Sequence, residues 1–110
     1  MSGQLYLLNS PILTNYGAFR FSQLDSADAI WMLRTNSFTS AIGHEATAKL
    51  LSRMWSMDIP VNRTQIHMDI GDRAITFRLL TRLPEGKVLS EYELLHVSYE
   101  LGLIERVDQW

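Results

Sequence analysis

No cysteine occurs among the 110 residues, so neither a disulfide nor a thiolate metal ligand is available. That fits a reducing compartment. No run approaches the roughly 20 apolar residues of a membrane span, and no basic region followed by an apolar stretch opens the chain, so a cytoplasmic protein off the membrane is expected. A glycine-rich phosphate loop is missing, and Ser40, Ser52 and Ser90 lie in no nucleophile-elbow context; neither an NTPase nor a hydrolase triad is supported. A basic surplus is missing as well. With a formal charge of −2 and a pI near 5.8, the chain lacks the net positive face that coating duplex DNA requires. Repeats, low-complexity tracts and linkers are absent too, which leaves no room for a second domain.

What remains is a chain built to fold. An apolar share of 46%, with three Trp, four Tyr and four Phe, is that of one small packed globule. Charge is distributed by region: from Arg53 to Lys87 six basic residues stand against four acidic ones, whereas from Val88 onward five acids face only Arg106. Most of these belong on a solvated surface.

Strands and helices alternate with short connections, which predicts an α/β domain. Leu5 to Leu8 reads as a short buried strand and Ala18 to Phe21 as a second, after a turn at Asn15-Tyr16-Gly17. Asp25 or Ser26 caps a helix running to about Arg34, with Ile30, Leu33 and Trp31 as its buried side. A stronger helix is predicted from Gly43 to about Ser56, its core stripe Ile42, Ala46, Leu50 and Met54, widened by Leu51 and Trp55. Arg63 to Ile70 alternates as a half-buried strand, Gly71-Asp72 as a hairpin turn, and Arg73 to Arg82 as the return strand burying Ile75, Phe77 and Leu79. Ser90 with Glu93 forms a capping box for a short helix to about Val97, carrying Leu94 and Leu95 inward. A last strand is expected from about Leu103 to Val107.

Two segments carry the chemistry. In SAIGHEATAKLL, Ser40 to Leu51, Ser40 is the expected helix N-cap and Gly43 lacks a side chain. His44 then falls in the first turn, where free N–H groups attract anions. At 100° per residue His44 lies nearly opposite Ile42, clear of the core stripe. In TRLPEGKVLS, Thr81 to Ser90, Arg82 and Glu85 flank a tight turn through Pro84 and Gly86. His44 to Ala48 begins like the HExxH zinc motif, but the second ligand position is Ala48, and one imidazole does not hold zinc. His67 and His96 fall on other elements without a ligand spacing, so no metal and no cofactor is expected. A lone histidine at a helix start is more often structural than catalytic. The activity that survives elimination is acid–base work on a phosphodiester.

Taken with LYLLN at Leu5 to Asn9, VNR at Val61 to Arg63 and FRLLTRLPEGKVLS at Phe77 to Ser90, these segments resemble the viral ring nucleases. That anti-CRISPR family destroys the cyclic tetra-adenylate messenger of type III CRISPR immunity and has relatives in bacterial mobile elements and as stand-alone host enzymes. The similarity spans nearly the whole chain, and the IGH(D/E)xT segment followed at this distance by RLxEGK is its specific part. The resemblance implies a homodimer whose central mixed sheet is flanked by helices. Such a dimer binds the cyclic RNA across its two-fold axis and cuts it, without metal, into linear di-adenylates.

The same resemblance assigns roles. His44 matches the family's general acid on the departing 5′ oxygen, Arg82 the arginine that stabilises charge on the reacting phosphorus, and Glu85 the acidic partner beside the scissile link. Asn9, Thr47 and Arg63 match positions lining the ligand pocket, beside Gly43. Between Ser10 and Asn15, SPILTN replaces a more polar stretch of the viral form. Trp110 and Met57 are the apolar residues expected at a dimer contact. A non-catalytic module that sequesters or senses cyclic oligoadenylate would use the same pocket, and the trio His44, Arg82 and Glu85 favours the enzyme over it.

Overall fold

The run Leu5–Leu8 (β1) is apolar throughout because it lies inside a sheet, paired in parallel on both sides. The computed structural model describes residues 3–10, 15–80 and 89–108. Within them β1 is followed by β2 (Ala18–Leu24), α1 (Ser26–Thr35), β3 (Thr39–Ala41), α2 (Glu45–Trp55), β4 (Arg73–Leu79), α3 (Glu91–Leu95) and β5 (Tyr99–Val107). The five strands form one mixed sheet in the order β2-β5-β4-β1-β3. β1 is parallel to β3 and β4, and β5 is antiparallel to β4 and β2. The expected α/β class is the one observed.

Both faces of the sheet are packed. On one, Leu5, Leu7, Ile75, Phe77 and Leu101 meet Ala29, Met32 and Leu33 of α1 and Ala48, Leu50, Leu51 and Trp55 of α2. On the other, Leu8, Ala74 and Ile104 meet Ile66 and Met68. The chain between β3 and β4 therefore serves both sides, first as helix α2 and then as an extended cover.

That cover corrects the expected strand at Arg63 to Ile70. Its alternation is real on the inner side at Ile66 and Met68, but Ile70 is exposed and the segment joins no ladder. A two-residue period reports an extended backbone with one side packed; it does not report which groups the backbone bonds. β4 already has β1 and β5 as neighbours. The cover is tied down by side chains instead. The Asn15 amide donates to the Met68 carbonyl and accepts from the Met68 N–H, both at 3.1 Å, and Arg106 Nη1 donates to the same carbonyl at 2.9 Å. A turn lies where the hairpin was expected, with Gly71 at φ 95° in the region glycine tolerates, but no strand precedes it and so no hairpin forms. Asp72, expected on a surface turn, is buried, its carboxylate accepting from the N–H groups of Gln4 and Asp69 at 2.8 Å each.

Other boundaries shift for local reasons. β2 runs past Phe21 to Leu24 because β5 pairs with it along its whole length, and β5 begins at Tyr99, four residues before the expected start. The cross-strand neighbours Arg78 and Glu100 form an ion pair of 3.0 Å, which lets a charged position sit within β5. Thr76, which alternates with the expected core residues Ile75 and Phe77 and so should face outward, is buried. In α1 the buried residues are Ala29, Met32 and Leu33, with Trp31 exposed; in α3 the capping box forms, while Leu94 is half-buried and Leu95 faces solvent.

The largest revision concerns Ser40. It lies in β3, not at a helix cap, and its hydroxyl donates to the Pro60 carbonyl at 2.6 Å. α2 starts at Glu45, so the stripe that packs is Ala48, Leu51 and Trp55 with Leu50, and Ala46 is exposed. Counting the helical phase from Ile42, which precedes the helix, rotated the expected face away from this one.

Candidate functional site

Parallel pairing in register, Leu8 opposite Ala41, brings the carboxyl ends of β1 and β3 together. Asn9 follows the first and Gly43-His44 the second, and α2 rises directly from that point. Sites in sheets with parallel strands gather outside such strand ends. β4 runs parallel to β1 and so delivers Leu79 and Leu80 to the same end of the sheet.

His44 is itself the N-cap of α2, the role expected of Ser40 four residues earlier, with φ −123° and ψ 117°. Its carbonyl accepts the first helical bond, from the Ala48 N–H at 3.0 Å, while its imidazole makes no capping bond and is exposed. The first-turn N–H groups of α2 thus lie beside a solvent-facing imidazole, in a field that favours an anion. Thr47, half-buried, is in that first turn.

Arg63 joins the group through backbone. Its Nε donates to the Gly43 carbonyl at 2.8 Å, and the side chain is exposed. A Cβ on Gly43 would stand 3.2 Å from Arg63 Cγ, so the arginine would have to give by a few tenths of an ångström. Asn9, Gly43, His44, Thr47 and Arg63 therefore occupy one end of the sheet. Arg82 and Glu85, like Trp110 and most of the Ser10 to Asn15 stretch, lie outside the described residues.

His67 and His96 are elsewhere. His67 projects from the cover with Nε2 3.3 Å from the Asp69 carboxylate, and His96 ends α3 with Nδ1 2.9 Å from the Tyr92 carbonyl and its ring 4.4 Å from that of Tyr92. Among the described residues no three His, Asp or Glu side chains cluster as a metal site would need. No described helix is long and apolar enough to cross a membrane.

Two depressions of about 470 and 310 Å³ lie along β2 and β5, the first lined by residues such as Asp25, Ser26 and Tyr99, the second by residues such as Phe21, Thr76 and Arg78. They hold no imidazole, and Arg78 in the second is already paired with Glu100. Their lining includes no residue of the β1 and β3 strand ends.

A family model described as STIV B116-like matches residues 5–101. The chain belongs to that family. Uncharacterized protein 26 of Sulfolobus islandicus filamentous virus is 40% identical over 108 residues, covering 94% of this chain and 92% of that protein. ORF117 of Acidianus two-tailed virus is 38% identical over 109 residues, covering 94% and 93%. YddF of Bacillus subtilis, at 27% identity over 107 residues, covers 96% and 99%, so the similarity reaches a bacterium. Among solved structures, B116 of Sulfolobus turreted icosahedral virus superposes with a TM-score of 0.82 at 24% identity, covering 94% of this chain and all of that one. At that identity the match speaks to the fold: one small domain with a mixed five-stranded sheet and helices.

Asn62 escaped the sequence reading. Its N–H donates to the Ile42 carbonyl and its Nδ2 to the Ser40 carbonyl, each at 2.8 Å. Its place beside Arg63 was the available signal, but nothing local marks an asparagine as the partner of a strand edge twenty residues away.

Proposed function

We propose that this protein is a metal-independent ring nuclease. It opens cyclic tetra-adenylate into linear di-adenylates in the cytoplasm and thereby switches off type III CRISPR signalling. The observation that carries the reading is the exposed imidazole of His44, uncommitted to capping, at a helix start where Arg63 is held on the preceding peptide and Asn9 ends the neighbouring strand. Membership of a family with viral relatives accords with it.

RNA carries its own nucleophile, so the protein needs to align, neutralise and protonate. A ribose 2′-oxygen attacks phosphorus in line and forms the new P–O bond while its proton passes to water. The bond to the 5′ oxygen breaks, and His44 delivers a proton to that oxygen. The first-turn amides of α2 and Arg63 hold the phosphate. Arg82 stabilises the charge that builds on it, and Glu85 orients groups at the scissile link. A homodimer presents two such sets to a ring of matching two-fold symmetry, so that two opposite cuts release two identical halves.

The test is incubation with labelled cyclic tetra-adenylate in EDTA, beside a mass by light scattering. Linear di-adenylates and a dimer mass are expected. Cleavage that vanishes in EDTA and returns with a divalent ion overturns the metal-free mechanism. Tight binding without cleavage establishes the sequestering module instead.

A further inference from the structure

β3 is three residues long and forms the sheet edge opposite β2, so its outward carbonyls face away from every ladder. An exposed strand edge needs partners of some kind. Here residues 60–63 supply them. The Ser40 hydroxyl donates to the Pro60 carbonyl at 2.6 Å, Asn62 Nδ2 donates to the Ser40 carbonyl and Asn62 N to the Ile42 carbonyl at 2.8 Å each, and Arg63 Nε donates to the Gly43 carbonyl at 2.8 Å. In a parallel strand alternate residues bond the same side, so Ser40 and Ile42 point outward together and Asn62 spans them. A single asparagine acts as two residues of a missing sixth strand.

The clasp ends where His44 begins. The imidazole of His44 is exposed and makes no capping bond, so backbone at Ile42 and Gly43 sets where it stands. A proton donor displaced by about 1 Å forfeits much of its rate. We infer that Asn62 is a positioning residue for His44, fixing the turn from β3 into α2 through the Ser40 and Ile42 carbonyls. The inference rests on the acid role of His44 proposed above. The Asn62 amide donates to the Ser40 carbonyl, so its loss should act on the chemical step more than on ligand affinity.

The experiment measures kcat and KM of the full-length protein on cyclic tetra-adenylate for Asn62→Ala and Asn62→Asp, the second keeping the shape but not the Nδ2 donor. Asp72→Asn, which disturbs a buried carboxylate at the opposite end of β4, serves as a destabilised control. Both Asn62 variants should lose roughly tenfold or more in kcat with KM within about twofold of the parent. The carbon–proton correlation of the His44 ring should shift in Asn62→Ala and stay in place in Asp72→Asn. Parent kcat in both Asn62 variants overturns the inference while leaving the nuclease reading intact. So does a loss carried by KM, which would make Asn62 a ligand contact, or an equal loss of kcat in Asp72→Asn. A parent protein that does not cleave defeats the nuclease reading and the inference with it.

Discussion

Arg63 and Gly43 are fitted to one another: the guanidinium Nε donates to the glycine carbonyl at 2.8 Å, and Arg63 Cγ stands where a Cβ on residue 43 would find it at 3.2 Å. The absence of one side chain lets a cation lie against the peptide that leads into His44. Gly43→Ala keeps an accessible backbone conformation but forces Arg63 to give by a few tenths of an ångström. Single-turnover cleavage should fall several-fold, with the thermal midpoint near the parent's, because the crowded neighbour is an exposed, flexible side chain. A parent rate in Gly43→Ala would show that the fit is not used.

Under the proposed mechanism, proton donation should separate from binding at His44. His44→Ala should lose roughly 10²–10⁴-fold in single-turnover rate while still retaining cyclic tetra-adenylate in a filter-binding assay, since the first-turn amides and Arg63 remain. Arg82→Ala should lower the rate and the affinity together, because one charge serves ground state and transition state. His67→Ala, on the outer side of the cover beside Asp69, should cleave at the parent rate. Parent-like cleavage by His44→Ala would end the assignment.

Asp72 secures the fold at the end of β4 away from the proposed site. Its two carboxylate oxygens each receive a backbone N–H, from Gln4 and from Asp69. Asparagine would turn an amide toward one of those donors and leave it unpaired, at a cost of about 2 kcal/mol. A fall of roughly 5–15 °C in midpoint follows for a domain of this size. Calorimetry of Asp72→Asn checks this; turnover per folded molecule well below the transition should stay at the parent value.

Tyr6, on the face covered by Ile66 and Met68, has its hydroxyl pushed above the ordinary tyrosine value by burial and then by the charges of Asp72 and Asp69. In the unfolded chain it ionises near 10. The unfolded state therefore loses this proton first, and the stability contributed by the neutral hydroxyl is complete below pH 10 and lost as pH rises from there through the folded value. Melts from pH 8 to 11 should show the parent losing stability faster than Tyr6→Phe above pH 10. Parallel losses would remove Tyr6 as a contributor.

Several features were legible because they depend on neighbours in sequence. The Ser90–Glu93 capping box closes within four residues. The buried strand at Leu5–Leu8 declares itself by having no polar side to show. The pairing of His44 with a helix start followed from Gly43 and the apolar period beyond it, although the expected cap, Ser40, stands four residues before the true one. Such signals arise from backbone geometry that three or four residues fix by themselves.

Tertiary structure decided the rest, because hydrogen-bond partners across a sheet have no local signature. Ser40 reads equally well as a helix cap or a strand residue, and Pro60 and Asn62, twenty and more positions away, made it the second. Arg63 to Ile70 has the period of a strand, yet with β1 and β5 already flanking β4 the Met68 carbonyl and amide went to Asn15 and Arg106, and the Asp69 amide to Asp72. The sequence alone determined which residues are apolar, where the chain turns and which side chains the proposed proton and phosphate chemistry draws on. Only the fold chose which backbone edges meet, since that choice minimises unpaired groups over the whole molecule rather than within any one segment.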